Sequence, residues 1–458
     1  MGARTFLSAA ISLSALGCML ILFTACPPTG PVTITVLGED SSNLQAMESL
    51  KGDFERETGI KVDFKKHSFE DARQKADDDL ARGTGKYDIV LQYNFALSNY
   101  ARHRYVYSID ELKALMPHGS QEQLKNDLFS AAWQEVGFYY RDPLNFQAGE
   151  IGIGYPFAAN TMILVYNKKI FSDQKIREKY IKENGRELSP PKTWADFRTT
   201  AAFLTDKKKQ QYGVCLQGGE GGWLYYEWMN FLFGMGGAMM QKNRGWEGDE
   251  TTNVLLANPA GLEAARLYLA LKPYTCPGFF TIGAAEQREA MLSGNVAMAI
   301  MWSDYVYELE KRAKVKDLSF GFSPIPGDKS MLAGGAFYIN RHSHHPREAA
   351  SYIMFLLKHN NQVRLARNGL CSALQSVYLD PKVQALNYSE ALRASLQRGV
   401  YMLEAGPDAT AVQDIVTEHL QKAWRGQESI DNALTQAEHE IRAKRAEIWA
   451  TLRESTSQ

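Results

Sequence analysis

The chain reads as an α/β protein with a parallel sheet, divided into two lobes. Three observations predict this. Between residues 32 and 91, short apolar runs alternate with helical patterns in the order strand, helix, strand, helix, strand. That alternation builds parallel sheets, because the crossover helices must cover the sheet faces. The chain has 458 residues, too many for one ordinary core. Its composition, 45% apolar and 22% charged, is that of a globular protein.

The first strand is Val32 to Leu37, ending in the polar turn Gly38 to Asn43, which has helix-capping character. Leu44, Met47, Leu50 and Phe54 then keep one apolar face at helical spacing, and Gly59 stops the helix. Ile60 to Phe64 alternates as a second strand, residues 70 to 82 form a charged helix, and Tyr87 to Leu91 is a third strand. In such sheets ligands lie beyond the carboxyl ends of the strands. Those ends carry Asp40, Ser41, Ser42 and Asn43, and Gln92, Tyr93 and Asn94. These hydrogen-bonding groups suit a neutral polar ligand. Further on, Ile151 to Phe157 predicts a strand entering a bend, and Thr161 to Tyr166 a separate buried strand. A helix starts at Thr193 to Phe197, and helices follow at 259–272 and 284–293. Val296 to Met301 is a strand ending at Trp302-Ser303-Asp304-Tyr305. Pro324-Ile325-Pro326-Gly327 precedes the strand Gly334 to Ile339, and the end from about 383 is helical.

The start of the chain predicts export. After Arg4, residues Phe6 to Ala25 carry no charge and run into Cys26-Pro27-Pro28. Phe23-Thr24-Ala25-Cys26 resembles the lipobox of bacterial lipoproteins, with residues 1–25 as signal peptide, Cys26 as the lipidated residue and 26–31 as linker. An uncleaved anchor is the alternative, since such a run can span a bilayer. Either way the rest of the chain faces the periplasm or the cell exterior, tethered to a membrane. A formal net charge of −1 argues against nucleic acid as a partner. Beyond Cys26 stand Cys215, Cys276 and Cys371, with no C-x-x-C; one bridge plus a buried thiol, or three buried thiols, both fit.

The segments FERETGIKVDF (54–64), GTGKYDIVLQYN (83–94), YPFAANTMILVYNKKIF (155–171), PPKTWADF (190–197), GNVAMAIMWSDY (294–305), PIPGDKSMLAGGAFYIN (324–340), PREAASYIMFLL (346–357) and RGQESIDNALTQAEHEI (425–441) follow one another in order. Their succession resembles the extracellular solute-binding proteins of sugar-type ABC importers, the family that includes maltose-binding protein. The resemblance implies a two-lobed periplasmic-binding-protein fold with an interlobe cleft. Hinge crossings fall near 155–160, 333–338 and 376–384. It divides the chain into lobe 1 (32–156 and 336–380) and lobe 2 (157–335, with C-terminal helices 381–458). It implies a monomer that binds a mono- or oligosaccharide, needs no cofactor or metal, does no chemistry, and delivers its solute to ABC permease subunits. Carried over position by position, it brings Asp40 to Asn43, Gln92, Tyr93 and Asn94 to the cleft from one lobe. Trp223, Tyr225, Trp302 and Asp304 come from the other, with Tyr155, Gly335 and Phe337 at the crossings. Two departures speak against maltodextrin. Trp223 stands where the family has a Glu, and Gly406 to Val412 lacks the family's late aromatic.

A sugar offers a flat C–H face and a rim of hydroxyls, so its site needs an aromatic platform and a few aimed polar groups. Trp302 followed by Ser303 and Asp304 supplies both, and Trp223 follows a glycine-rich loop that lets it approach a ligand. Asp40 either accepts sugar hydroxyls or caps the first helix. Tyr226, Trp228 and Trp194 read as core. His342, His344 and His345 have no neighbouring carboxylate or cysteine and do not read as a metal site. Two alternatives follow from what a cleft needs. An anionic or phosphorylated solute needs Arg or Lys there, and a glycosidase needs two facing carboxylates.

Overall fold

The computed structural model describes residues 30–115, 126–140, 149–219, 222–241, 253–401 and 406–456. The signal peptide expected at 1–25, Cys26 and most of the expected linker lie outside them. Strands β1 (Thr33–Glu39), β2 (Lys61–His67) and β3 (Ile89–Tyr93) form the parallel array expected, with β1 between its two neighbours. The single helix expected after β1 is two, Ser42–Ser49 and Lys51–Thr58, broken at buried Leu50. The second ends at Gly59 (φ 74°), a left-handed cap that suits glycine.

The sheet continues through two long strands. β4 (Phe138–Tyr140) and β5 (Glu150–Gly152) pair with each other, apart from the main sheet. The strand expected at 151–157 is divided between β5 and β6 (Tyr155–Asn167, 13 residues), and β6 also takes in the strand expected at 161–166. The backbone stays paired between them: Ala158, Ala159, Asn160 and Thr161 face Gly335, Gly334, Ala333 and Leu332 of β10 (Met331–Ile339). The later part of β6 pairs instead with β8 (Val296–Trp302) and β9 (Phe320–Ser323), and β8 with β7 (Tyr212–Val214). The order is therefore β2-β1-β3-β10-β6-β8-β7, with β11 (Val400–Tyr401) joined to β10. β10 reaches β3 through Gly335 to Ile339 and β6 through Leu332 to Phe337. A third contact of the chain with this junction is made where Ser372 bridges Ala158 and the Ala159 N–H donates to the Cys371 carbonyl at 2.9 Å.

Each half of the sheet is covered on both faces, the condition for apolar strands such as β8, which is buried throughout. In the β1 half, helices Ser42–Ser49, Lys51–Thr58 and Pro346–Leu357 pack over Ile34, Val36 and Ile89. Helix Phe69–Arg82 packs over Leu37 and Val90. In the β8 half, helices Trp194–Leu204, Trp223–Gly234, Pro259–Ala270, Ala409–Arg425 and Ile430–Thr456 share one core, and helices Ala284–Leu292, Ser303–Val315 and Ser389–Arg398 another. Among the described residues no helix is long and apolar enough to cross a membrane.

Cys215 and Cys276 form a disulfide, with Cα atoms 5.1 Å apart, and Cys371 is a buried free thiol. The bridge ties the residue after β7 to the segment beyond helix Pro259–Ala270, where the Cys276 N–H also donates to the Val214 carbonyl at 3.0 Å. It closes a loop across 61 positions. By loop-closure entropy, removing it costs ~4 kcal/mol. Reduction with dithiothreitol is expected to lower the thermal midpoint, read by differential scanning calorimetry. An unchanged midpoint after verified reduction contradicts this.

Candidate solute-binding chamber

A chamber opens where the two halves of the sheet meet. The carboxyl end of β1 brings Glu39, and that of β3 brings Tyr93, followed by the turn residues Asn94 and Phe95. Phe69 enters from the start of helix Phe69–Arg82, and Asn160 and Ala333 from the paired strands β6 and β10. The opposite wall is built from helix starts: Trp302 ends β8, Asp304 and Tyr305 open helix Ser303–Val315, and Trp223 and Tyr226 open helix Trp223–Gly234. Strand ends and helix starts converge here because every crossover helix departs from the carboxyl edge of the sheet. Gly222 precedes Trp223 in the left-handed region (φ 86°), and a Cβ on Gly283 would lie 2.8 Å from the Trp223 indole nitrogen. Glycine at 283 leaves room for the indole, and at 222 it leaves room for the Gln413 side chain.

The cavity enclosed by these side chains is about 50 Å3, and it opens outward to solvent. Its walls are mainly aromatic. Phe69 and Trp223 lie tilted to each other with centroids 6.1 Å apart, Phe69 lies 5.8 Å from Tyr93, and Tyr226 meets Trp302 edge-on at 5.8 Å. Two carboxylates stand among these rings. Glu39 accepts from the Tyr93 hydroxyl at 2.7 Å and from the Tyr305 hydroxyl at 3.1 Å. Asp304 Oδ2 accepts from Asn160 Nδ2 at 3.1 Å. Three buried polar atoms of the lining have no hydrogen-bond partner: Asp304 Oδ1, Asn160 Oδ1 and Trp302 Nε1. Buried polar groups are nearly always paired, so three orphans around one chamber mark a place prepared for something else.

Burial raises both acids. Loss of solvent pushes the Glu39 carboxyl up against the pull of its two tyrosine hydrogen bonds. Burial pushes Asp304 well above the usual carboxylate range, and the charge of Glu39 adds to this. The halves also touch beside the chamber, where Ser42 Oγ donates to the Asp304 carbonyl oxygen. Outward, the chamber joins a larger cleft of about 1010 Å3, lined by Asp40, Lys66, Arg73, Glu286, Arg288 and Asp414 among others.

Of the residues expected at the cleft, Tyr93, Asn94, Trp223, Trp302 and Asp304 come together on the chamber, and Asp40 lines the outer cleft. Ser41, Ser42 and Asn43 are buried at the first helix start, where Asn43 Oδ1 accepts the Cys371 N–H at 3.0 Å. Gln92 points the other way and donates to the Ala72 carbonyl at 3.3 Å. Tyr155 and Phe337 lie in the β1-half core, and Tyr225 lies in the β8-half core with its hydroxyl on Met239 Sδ at 3.6 Å. A Cβ on Gly335 would meet the Phe157 ring at 2.4 Å, so the residue permits close packing. The sequence reading omits Glu39, Phe69, Phe95, Asn160, Tyr305 and Ala333 from the lining, and assigns Tyr226 to the core. Glu39 and Tyr305 each adjoin a residue that it names. The histidine turn is held through its backbone: the His342 N–H donates to Asn340 Oδ1 at 2.9 Å and the His345 N–H to Ser343 Oγ at 3.0 Å.

A family model described as bacterial extracellular solute-binding protein matches residues 39–363. A probable amino-acid ABC transporter periplasmic-binding protein of Sinorhizobium fredii is 24% identical over 381 residues, covering 80% of this chain and 78% of its own. Among solved structures, a solute-binding protein of Thermotoga lettingae bound with α-D-tagatose aligns over 91% of this chain and 100% of its own, at 20% identity and a TM-score of 0.74. One from Agrobacterium radiobacter in complex with ribitol aligns over 90% and 98%, at 20% identity and a TM-score of 0.72. At these identities the structural likeness carries the two-lobed fold. With the family model spanning most of the folded chain, this protein belongs to the bacterial extracellular solute-binding protein family.

Proposed function

We propose that this protein is the substrate-binding subunit of an ABC importer and that it captures a sugar or polyol in the chamber. The observation that carries the reading is the chamber wall itself: aromatic faces beside the three buried, unpartnered polar atoms of Asp304, Asn160 and Trp302. Aromatic faces cover sugar C–H groups, and the orphaned atoms are positioned for hydroxyls. Tagatose, ribitol and mannitol in the names of related structures agree with it. An α-amino acid or a phosphate ester would bring an anion beside Glu39 and Asp304, with no Lys, Arg or His on the lining. A glycosidase pair would need environments that set its two carboxyls apart, whereas burial raises both Glu39 and Asp304.

In this reading residues 32–156 and 336–380 move against 157–335 and 381–458. Solute bridges the two bodies and shifts an open–closed equilibrium through its differential affinity. The closed monomer docks on permease subunits, and lipid on Cys26 holds it at the membrane after residues 1–25 are removed. Thermal unfolding of the full chain in a neutral detergent, across sugars, polyols, phosphate esters and amino acids, tests the solute class. A sugar or polyol at a hundred times its Kd adds ~2.7 kcal/mol of stability and raises the midpoint. Shifts confined to phosphate esters or amino acids, or no shift at all, overturn the reading.

A further inference from the structure

The chamber holds more acidic side chains than a neutral solute calls for. Glu39 and Asp304 both line it, Asp40 stands just outside, and no Lys, Arg or His lies on its wall. Of the cations of the outer cleft, Lys66 pairs with Glu48 at 3.0 Å, Arg73 with Glu70, and Arg288 with Glu289 at 3.3 Å, the Arg288 guanidinium also lying 5.6 Å from the centre of the Tyr305 ring. Asp304 is 5% exposed and Asn160 3%, and their two orphaned oxygens are both acceptors. A buried carboxylate without a counter-charge is unfavourable, and a bound cation relieves it. An ammonium group offers three donors and no acceptor, which complements that pair of oxygens. The surrounding Trp and Tyr faces favour a cation further through their ring quadrupoles.

We propose that the chamber takes a solute bearing a protonated amine, an amino sugar or amino polyol, with its ammonium on Asp304 Oδ1 and Asn160 Oδ1. This inference rests on the reading of the chamber as the solute site. Burial acts in the same direction, since an arriving positive charge offsets the strain of ionising Asp304 beside Glu39.

Isothermal titration of the full chain in neutral detergent at neutral pH tests it with matched pairs: D-glucosamine against D-glucose, D-galactosamine against D-galactose, and putrescine against 1,4-butanediol. The aminated member of at least one pair is expected to bind at least tenfold tighter than its neutral partner. Asp304→Asn, nearly isosteric with the native side chain, is expected to abolish that preference while keeping the wild-type circular dichroism spectrum. A neutral sugar binding as tightly as its aminated partner overturns the amine and leaves the sugar reading standing. Tight putrescine with no sugar bound supports the amine and overturns the sugar. No binding in any pair overturns both, and a preference that survives in folded Asp304→Asn removes Asp304 from the role. The wild-type comparison decides the amine even if the variant fails to fold.

Discussion

Trp302→Ala is expected to weaken binding of the chamber's solute by at least tenfold. Trp302 ends β8, so its indole stands on the wall where the sheet stops and helix Ser303–Val315 begins. Its ring meets Tyr226 edge-on, and its Nε1 is buried without a partner. Truncation removes an aromatic face worth ~1.5–3 kcal/mol of burial and one hydrogen-bond donor. Because the side chain is only 8% exposed, the change also costs the free protein ~3–5 kcal/mol of stability. Titration calorimetry at 25 °C must therefore be paired with circular dichroism of the variant. Trp302→Phe keeps most of the face and loses the donor, so its affinity should fall between the two. Trp194→Ala is the matched control: Trp194 stacks on Phe231 at 4.1 Å within the β8-half core, away from the chamber, and its loss should lower stability without changing Kd. An unchanged Kd in folded Trp302→Ala would remove Trp302 from the binding wall.

Stability is expected to fall as pH rises from about 5 to 8, and Glu227→Gln is expected to flatten that fall. Glu227 is fully buried on helix Trp223–Gly234. It accepts from the Gln217 N–H and the Tyr268 hydroxyl, each at 2.8 Å, and from Gln287 Nε2 at 3.2 Å. These bonds favour the anion, but burial outweighs them and pushes the carboxyl from the ordinary 4.5 up to about 8. The folded state therefore holds a proton that the unfolded chain releases above 4.5. The contribution is fully present below that pH and is lost as pH climbs toward 8, by up to ~1.4 kcal/mol per pH unit. Asp304 adds a loss of the same sign. Other groups titrate over the range, so the measurement is the difference between wild type and Glu227→Gln in denaturant midpoint from pH 5 to pH 8.5. Parallel curves would show that Glu227 is not the group responsible.

Much of the architecture is legible in local pattern. The β1 to β3 alternation, the stop at Gly59 and the strand that runs into Trp302 follow from periodicity and turn residues. Where the pattern lacks a signal, the reading misses. The expected strands at 151–157 and 161–166 leave Ala158 to Asn160 unassigned, although in the folded chain their backbone is paired within β6 and the Asn160 side chain faces the chamber.

The sequence by itself determined the α/β class, the family, and the strand ends and helix starts from which a site would be built. Those features are local: a strand end is marked by its turn, and Trp302, Asp304 and Tyr93 sit at such ends whatever packs against them. Only the tertiary structure decided which neighbour of each pair faces the solute. Gln92 and Tyr93 point to opposite faces because side chains alternate along a strand. Tyr225 and Tyr226 diverge because successive residues on a helix turn through about 100°. The pairing of Cys215 with Cys276, and the meeting of Glu39 with Tyr305 across 266 positions, are likewise tertiary. Partners so far apart along the chain leave no trace in local periodicity, and only the packing of the two halves of the sheet brings them together.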